Sequence, residues 1–114
     1  MDSQYIEIDP NDRIICVNIS RTFDKNEGAD DYDRARHYWR VSLARASKAN
    51  LVLATVHGIV KAVFVPHKWY LTDSEDYLGR YEFDGEPVDD SPYLGKCVWN
   101  IISKRTVSFA YINL

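Results

Sequence analysis

Two apolar runs joined by a two-residue reversal constrain this chain more than any other feature. Leu51–Val56 and Ile59–Val65 flank His57-Gly58. A two-residue turn needs positive φ, which Gly takes freely and His tolerates better than most side chains. The spacing predicts a β-hairpin that pairs Val56 with Ile59 and Leu53 with Ala62. In that register Leu51, Leu53, Thr55, Val60, Ala62 and Phe64 share one face, and Val52, Ala54, Val56, Ile59, Lys61 and Val63 share the other. Both faces are mainly apolar, so the strands belong in the middle of a sheet covered on both sides, or in a barrel. Pro66 is expected to close the second strand.

Upstream, Asp31–Ala49 carries Tyr32, Ala35, Trp39, Leu43 and Ala46 at three- and four-residue steps, which predicts one long helix with a single apolar stripe. Asp30, Asp31 and Asp33 suit its positive end, and Arg45 and Lys48 its negative end. Asn50 is expected to stop it in a left-handed conformation. Gln4–Ile8 alternates weakly, Asp9-Pro10-Asn11-Asp12 is a turn, and Arg13–Ile19 is a strand candidate. Ser20–Gly28 reads as a loop. Beyond the hairpin, Arg80–Phe83 is expected as a short strand turned by Asp84-Gly85. Ser91-Pro92 is expected to open a short helix through Ile102, and Thr106–Ile112 to form the last strand. This order fits no parallel doubly wound sheet. It predicts an α+β domain with a small mixed, curled sheet or barrel and one long and one short helix.

The 114 residues fit one domain, 1–114, and 46% apolar residues are enough for one real core. A net charge of −3, from 17 acidic against 14 basic residues, argues against broad duplex binding, which needs many cations against phosphates. Cys16 and Cys97 read as reduced packing residues. No Cys-x-x-Cys or close His pair suggests a metal, and no cofactor motif is present. Met1–Asp9 is polar with three acids, unlike a signal or transit peptide. The longest apolar run, Leu51–Val56, is too short to span a bilayer, so a cytoplasmic location follows by default.

Catalytic signatures such as G-x-S-x-G, a Walker loop or H-E-x-x-H are missing. His37, His57 and His67 read as surface or turn residues, and Asp30/Asp31 and Asp89/Asp90 as cap and turn carboxylates. What remains is arginine interleaved with aromatics: Arg21 near Phe23, Arg36 near Trp39, Trp69 with Tyr70, and Arg80 with Tyr81. Guanidinium and aromatic planes stack on bases, and Arg also grips phosphate. The bland alternative makes Trp39 and Trp69 core wedges and pairs the arginines with nearby acids. Trp39, central on the apolar stripe, reads first as core; Trp69 admits either role.

Several of these stretches together resemble the PUA-like superfamily, which includes the ASCH and EVE groups. The resemblance rests on the helix leading into Ala49–Val56, the His57-Gly58 reversal into Ile59-Val60-Lys61-Ala62-Val63-Phe64, then Trp69, and Arg80-Tyr81-Glu82-Phe83-Asp84-Gly85. It runs in pattern from about Arg13 to Asn113. Tyr32–Trp39 and Tyr93-Leu94-Gly95-Lys96 are also similar to a segment found downstream of GIY-YIG endonuclease domains in some bacterial proteins. The nuclease module itself is absent, because Gly58-Ile59-Val60 lacks its tyrosines. The resemblance implies a curled barrel flanked by helices, with a cleft that in relatives accepts nucleic acid, often through a modified or flipped base. The acidic charge departs from typical RNA-binding members and leaves a single base, a nucleotide or a short single strand as the ligand.

The leading expectation is therefore a non-catalytic module that binds such a ligand, with Arg21, Arg36 and Arg80 on phosphate or base edges and Trp39, Trp69 or Tyr70 in the cleft. A rival of a different class is an acidic protein-interaction module or inhibitor, of phage or mobile-element type, docking a basic partner through Asp73–Asp76 and Asp84–Asp90. A metal-dependent nuclease or hydrolase is the third. Oligomeric state stays open.

Overall fold

A computed structural model describes residues 4–102 and 108–114. Five strands form one open mixed sheet: β1 (Ile14–Asn18), β2 (Leu51–Val56), β3 (Ile59–Leu71), β4 (Tyr81–Pro87) and β5 (Phe109–Ile112), in the order β4-β3-β2-β1-β5. β1 and β2 run parallel, and the other neighbours are antiparallel. The α+β class and mixed sheet agree with the sequence. The sheet ends at β4 and β5 and does not close into a barrel.

The hairpin lies at the centre of the sheet, as its two apolar faces require. His57 and Gly58 have φ of 50° and 82°, the left-handed pair of a tight reversal whose twist matches the strands. Val56 pairs with Ile59 as expected, but the register shifts between Ala54 and Thr55, so Leu53 meets Val63 instead of Ala62. The shift moves Ala62 and Phe64 onto the face of Val52 and Ala54, and Val63 onto that of Leu53. Lys61 is left as the unpaired, exposed residue.

Among the described residues, three short α-helices stand in place of the expected long and short ones: α1 (Ser20–Asp24), α2 (Asp31–Arg36) and α3 (Leu43–Ala46). α1 occupies the stretch read as a loop. Asp30 caps α2 through Asp33 N–H. The helix predicted over 31–49 breaks after Arg36, where His37, Tyr38 and Trp39 form a run with poor helix propensity. There the backbone finds better partners: Trp39 and Tyr81 exchange N–H···O bonds of 2.9 and 2.7 Å. Asn50 is absent from the positive-φ residues; its side chain instead ties Arg13 N–H to Asp12.

Other departures share a cause, which is that strands run past residues read as stops. β3 continues through Pro66 to Leu71. Pro66 lacks an N–H, so the ladder slips between Pro66 and Lys68. Its partner Gly85 lies inside β4, not in a turn. A Cβ there would meet Val65 O at 2.3 Å, so only glycine allows that approach. Ser91–Ile102 forms turns, with Gly95 at φ 79°, and no helix. Gln4–Ile8 contributes one bridge, Tyr5 with Cys97, and no strand. Within the predicted last strand, Thr106 and Val107 lie outside the described residues.

Two apolar clusters cover the sheet. Ile15, Val17, Val52, Ala54, Phe64, Trp69 and Phe83 face the helices, while Ile14, Cys16, Leu53, Val60 and Val63 pack under Ile6, Tyr93 and Val98. Cys16 and Cys97 are free and buried. Side chains of α2 cover the outer edge of β4, with Arg36 Nε donating to Phe83 O and Tyr32 Oη accepting from Gly85 N–H. No described helix is long and apolar enough to cross a membrane.

Candidate ligand-binding cleft

The parallel pair β1/β2 leaves a concavity beyond its far end, between α1, the hairpin tip and the approach to β4. β1 ends at Asn18, whose Oδ1 accepts from Ser20 N–H at 3.0 Å and Ser20 Oγ at 2.6 Å, turning the chain into α1. Ser20 and Asp24, one turn apart, then clasp the hairpin tip. Ser20 Oγ accepts from His57 N–H at 2.8 Å, and His57 Nε2 lies 3.0 Å from Asp24. Trp99 lies flat on Gly58, where a Cβ would stand 2.4 Å from its Cε2.

The resulting cleft measures about 690 Å³ and includes Arg21, Lys25, His37, Tyr38, Trp39, His57, Tyr77, Arg80 and Trp99 in its walls. Its cations are Arg21, Lys25, Arg34 and Arg80, and Glu27 is the carboxylate among the described lining residues. Arg34 is engaged with Asp31 at 2.8 Å and with Glu27 O at 2.6 Å. Arg21 and Lys25 form no ion pair among the described residues, and Arg80 lies over the Tyr77 ring with Cζ 5.6 Å from its centroid. Cys16 also lines the cleft; burial pushes its thiol up to about 12, so it stays protonated and is no nucleophile at neutral pH.

Aromatic order is the second feature. His37 stacks on Tyr38 with centroids 4.1 Å apart and planes 11° apart, and Tyr38 stacks on Tyr77 at 4.1 Å and 9°. Tyr77 ends a 3-10 turn, Glu75–Tyr77. Trp39 donates from Nε1 to Ala35 O at 2.7 Å and packs against the helix-side core while lining the cleft.

Of the six residues singled out from sequence, Arg21, Trp39 and Arg80 meet in this cleft. Arg36 and Tyr70 do not. Arg36 Nη2 reaches Tyr70 Oη at 2.6 Å, Glu82 at 3.1 Å and Asp84 at 2.9 Å, and Tyr70 Oη donates to Glu82 at 2.8 Å. Burial works against the charge on Glu82, but hydrogen bonds from Tyr70 and Thr72 and the Arg36 charge outweigh it and hold the carboxyl below its ordinary range. Burial, with the acceptor carboxylates Glu82 and Asp84, pushes the Tyr70 phenol up. Desolvation disfavours the Arg36 cation, yet Asp84, Tyr70 and Glu82 raise its pKa overall. This is a bracket joining α2 to β3 and β4, already saturated with partners. Trp69 is also no cleft wall: it is 5% exposed and packs on Phe83 at 5.0 Å. The continuation of β3 past Pro66 carries it into the core.

Sequence reasoning missed Lys25, Tyr38, Tyr77 and Trp99. Lys25 lies one helical turn after Arg21, a spacing that marks a shared face once α1 is known. The meeting of Tyr38 with Tyr77 is tertiary and left no local signal. No family model, curated protein or solved structure matches this chain.

Proposed function

We propose that this chain is a PUA-like binding module that holds a nucleobase, a nucleotide or a short single-stranded nucleic acid between α1 and the Tyr38–Tyr77 wall. The observation that carries the reading is a local inversion of charge. In a chain of net charge −3, the cleft gathers Arg21, Lys25, Arg34 and Arg80 around stacked aromatic rings. Cations beside aromatic rings suit a ligand that is both planar and anionic. Arg21 and Lys25 contact phosphate, and the rings take the base. The PUA-like part of the reading rests on the sequence resemblance; the sheet is open, not the closed barrel that the resemblance implies.

The reading is tested by titrating short single strands over a range of salt. Affinity falls as salt rises, and Arg21→Ala weakens binding for every sequence while lowering the salt slope by about one. Salt-independent binding that Arg21→Ala leaves unchanged would remove α1 from the site.

A second reading has its own observation. A concavity of about 1300 Å³ on another part of the surface is lined by Glu7, Asp9, Asp12 and Asp90 with Lys96, a surface complementary to a basic protein partner. Asp84, part of an acidic stretch assigned to such docking from sequence, is held by Arg36 instead. Co-purification of a basic partner, released by salt, distinguishes this reading from the first.

A further inference from the structure

We propose that the base subsite of this cleft is the face of Tyr77 turned away from Tyr38, between that ring and the Arg80 guanidinium, and that its ligand is an unpaired purine. The proposal rests on the binding reading above and narrows its ligand. His37, Tyr38 and Tyr77 form a column of three rings, each 4.1 Å from the next and within 11° of parallel. None of the three belongs to either apolar cluster of the core, so the column is not explained by core packing. Tyr38 covers one face of Tyr77 and the Arg80 guanidinium lies over the other, yet the residue remains 41% exposed.

The platform is set before any ligand arrives. Tyr77 N–H bonds Ser74 O at 3.2 Å and Arg80 N–H bonds Tyr77 O at 3.2 Å, while the Trp39–Tyr81 backbone pair fixes the chain beside Tyr38. A ring that is already ordered loses little entropy on binding. A base entering on this face displaces the Arg80 guanidinium, whose Cζ lies 5.6 Å from the Tyr77 centroid, continues the column, and takes that guanidinium onto its own outer face. Two fused rings overlap the phenol and guanidinium more fully than one, which favours purines. A base in a duplex has both faces covered by its neighbours and cannot enter. Glu75 and Asp76, in the same turn as Tyr77, disfavour phosphate there and direct the ligand's phosphates toward Arg21 and Lys25.

The test measures fluorescence anisotropy with labelled single strands of equal length and charge: oligodeoxyadenylate, oligodeoxythymidylate and an abasic strand, with a duplex alongside. The expected order is adenylate, then thymidylate, then abasic, with the duplex at or below the abasic strand. Tyr77→Leu should weaken adenylate binding at least about fivefold and erase the preference over the abasic strand. Its salt slope should stay unchanged, and because Tyr77 lies outside the core clusters its melting temperature should fall by no more than about 6 °C, the loss of one stacked ring pair. Tyr77→Phe keeps the preference. If the wild type binds the abasic strand as tightly as adenylate, or if Tyr77→Leu keeps the preference, the Tyr77 subsite is overturned while the cationic cleft stands. If no strand binds, both readings fall together.

Discussion

Replacing Arg36 with alanine probes how the cleft's neighbouring wall is held. The variant leaves Glu82, buried at 8% exposure, without the guanidinium that faces it at 3.1 Å. Removing one partner of a buried ion pair costs about 3–5 kcal/mol. Arg36 and Glu82 side chains are 21% and 11% exposed, and Asp84 is 58% exposed, so water screens part of the interaction. That lowers the expected loss to about 2–3 kcal/mol. In a domain of this size each kcal/mol shifts the melting temperature by about 4 °C, which gives a fall of roughly 8–12 °C. The loss also depends on pH with a definite sign. Glu82 is held below its ordinary range, so its contribution is full above the unfolded value of about 4.3 and disappears as pH falls through the lower folded value. Without Arg36 the carboxyl takes up its proton at higher pH, and the stability difference between the two proteins narrows on acidification. Urea denaturation followed by circular dichroism at pH 7 and near pH 3 measures both effects. A loss below about 0.5 kcal/mol at pH 7, or an equal loss at the two pH values, refutes the bracket. Arg36→Lys, which keeps the charge but not the planar fork, should fall between.

Two further outcomes follow from particular contacts. Gly58→Ala introduces a side chain at φ 82° and 2.4 Å from the Trp99 ring; it should cost about 1–3 kcal/mol and change Trp99 fluorescence, and an unaltered emission spectrum would contradict the packing of Trp99 on the hairpin tip. Cys16, with its thiol pushed up to about 12 by burial, should resist a thiol-specific reagent in the folded protein at pH 8 and react once urea exposes it; rapid labelling of the native chain at Cys16 would contradict that burial.

The parts of the fold that local chemistry dictates were legible in the residues. His57-Gly58 named its own turn, Asp30 marked the start of α2, and the two-faced apolar pattern of Leu51–Val56 placed β2 at the sheet centre. What escaped were contests between local preference and distant partners. Trp39 continues a helical stripe, but the backbone of Tyr81 offers it strand bonds. Pro66 reads as a stop, but Gly85 opposite leaves room for the ladder to slip, and the longer strand then buries Trp69. Similarly, Lys61 looks like an ordinary strand residue until the bulge opposite Ala54 and Thr55 leaves it without a partner across the ladder. In the cleft, Arg21 and Arg80 were legible because arginines beside aromatics stand out in an acidic chain. Arg36 carried the same signature, and only the folded arrangement shows that Glu82, Asp84 and Tyr70 already occupy it.

Charge reversal within the cleft tests the central claim most directly. A double variant, Arg21→Glu with Arg80→Glu, should abolish binding of a short single strand at moderate salt, while Lys68→Glu, an exposed cation outside the cleft lining, keeps affinity near that of the wild type. Equal weakening by both proteins, or undiminished binding by the double variant, would show that the strand is held elsewhere or only by diffuse charge.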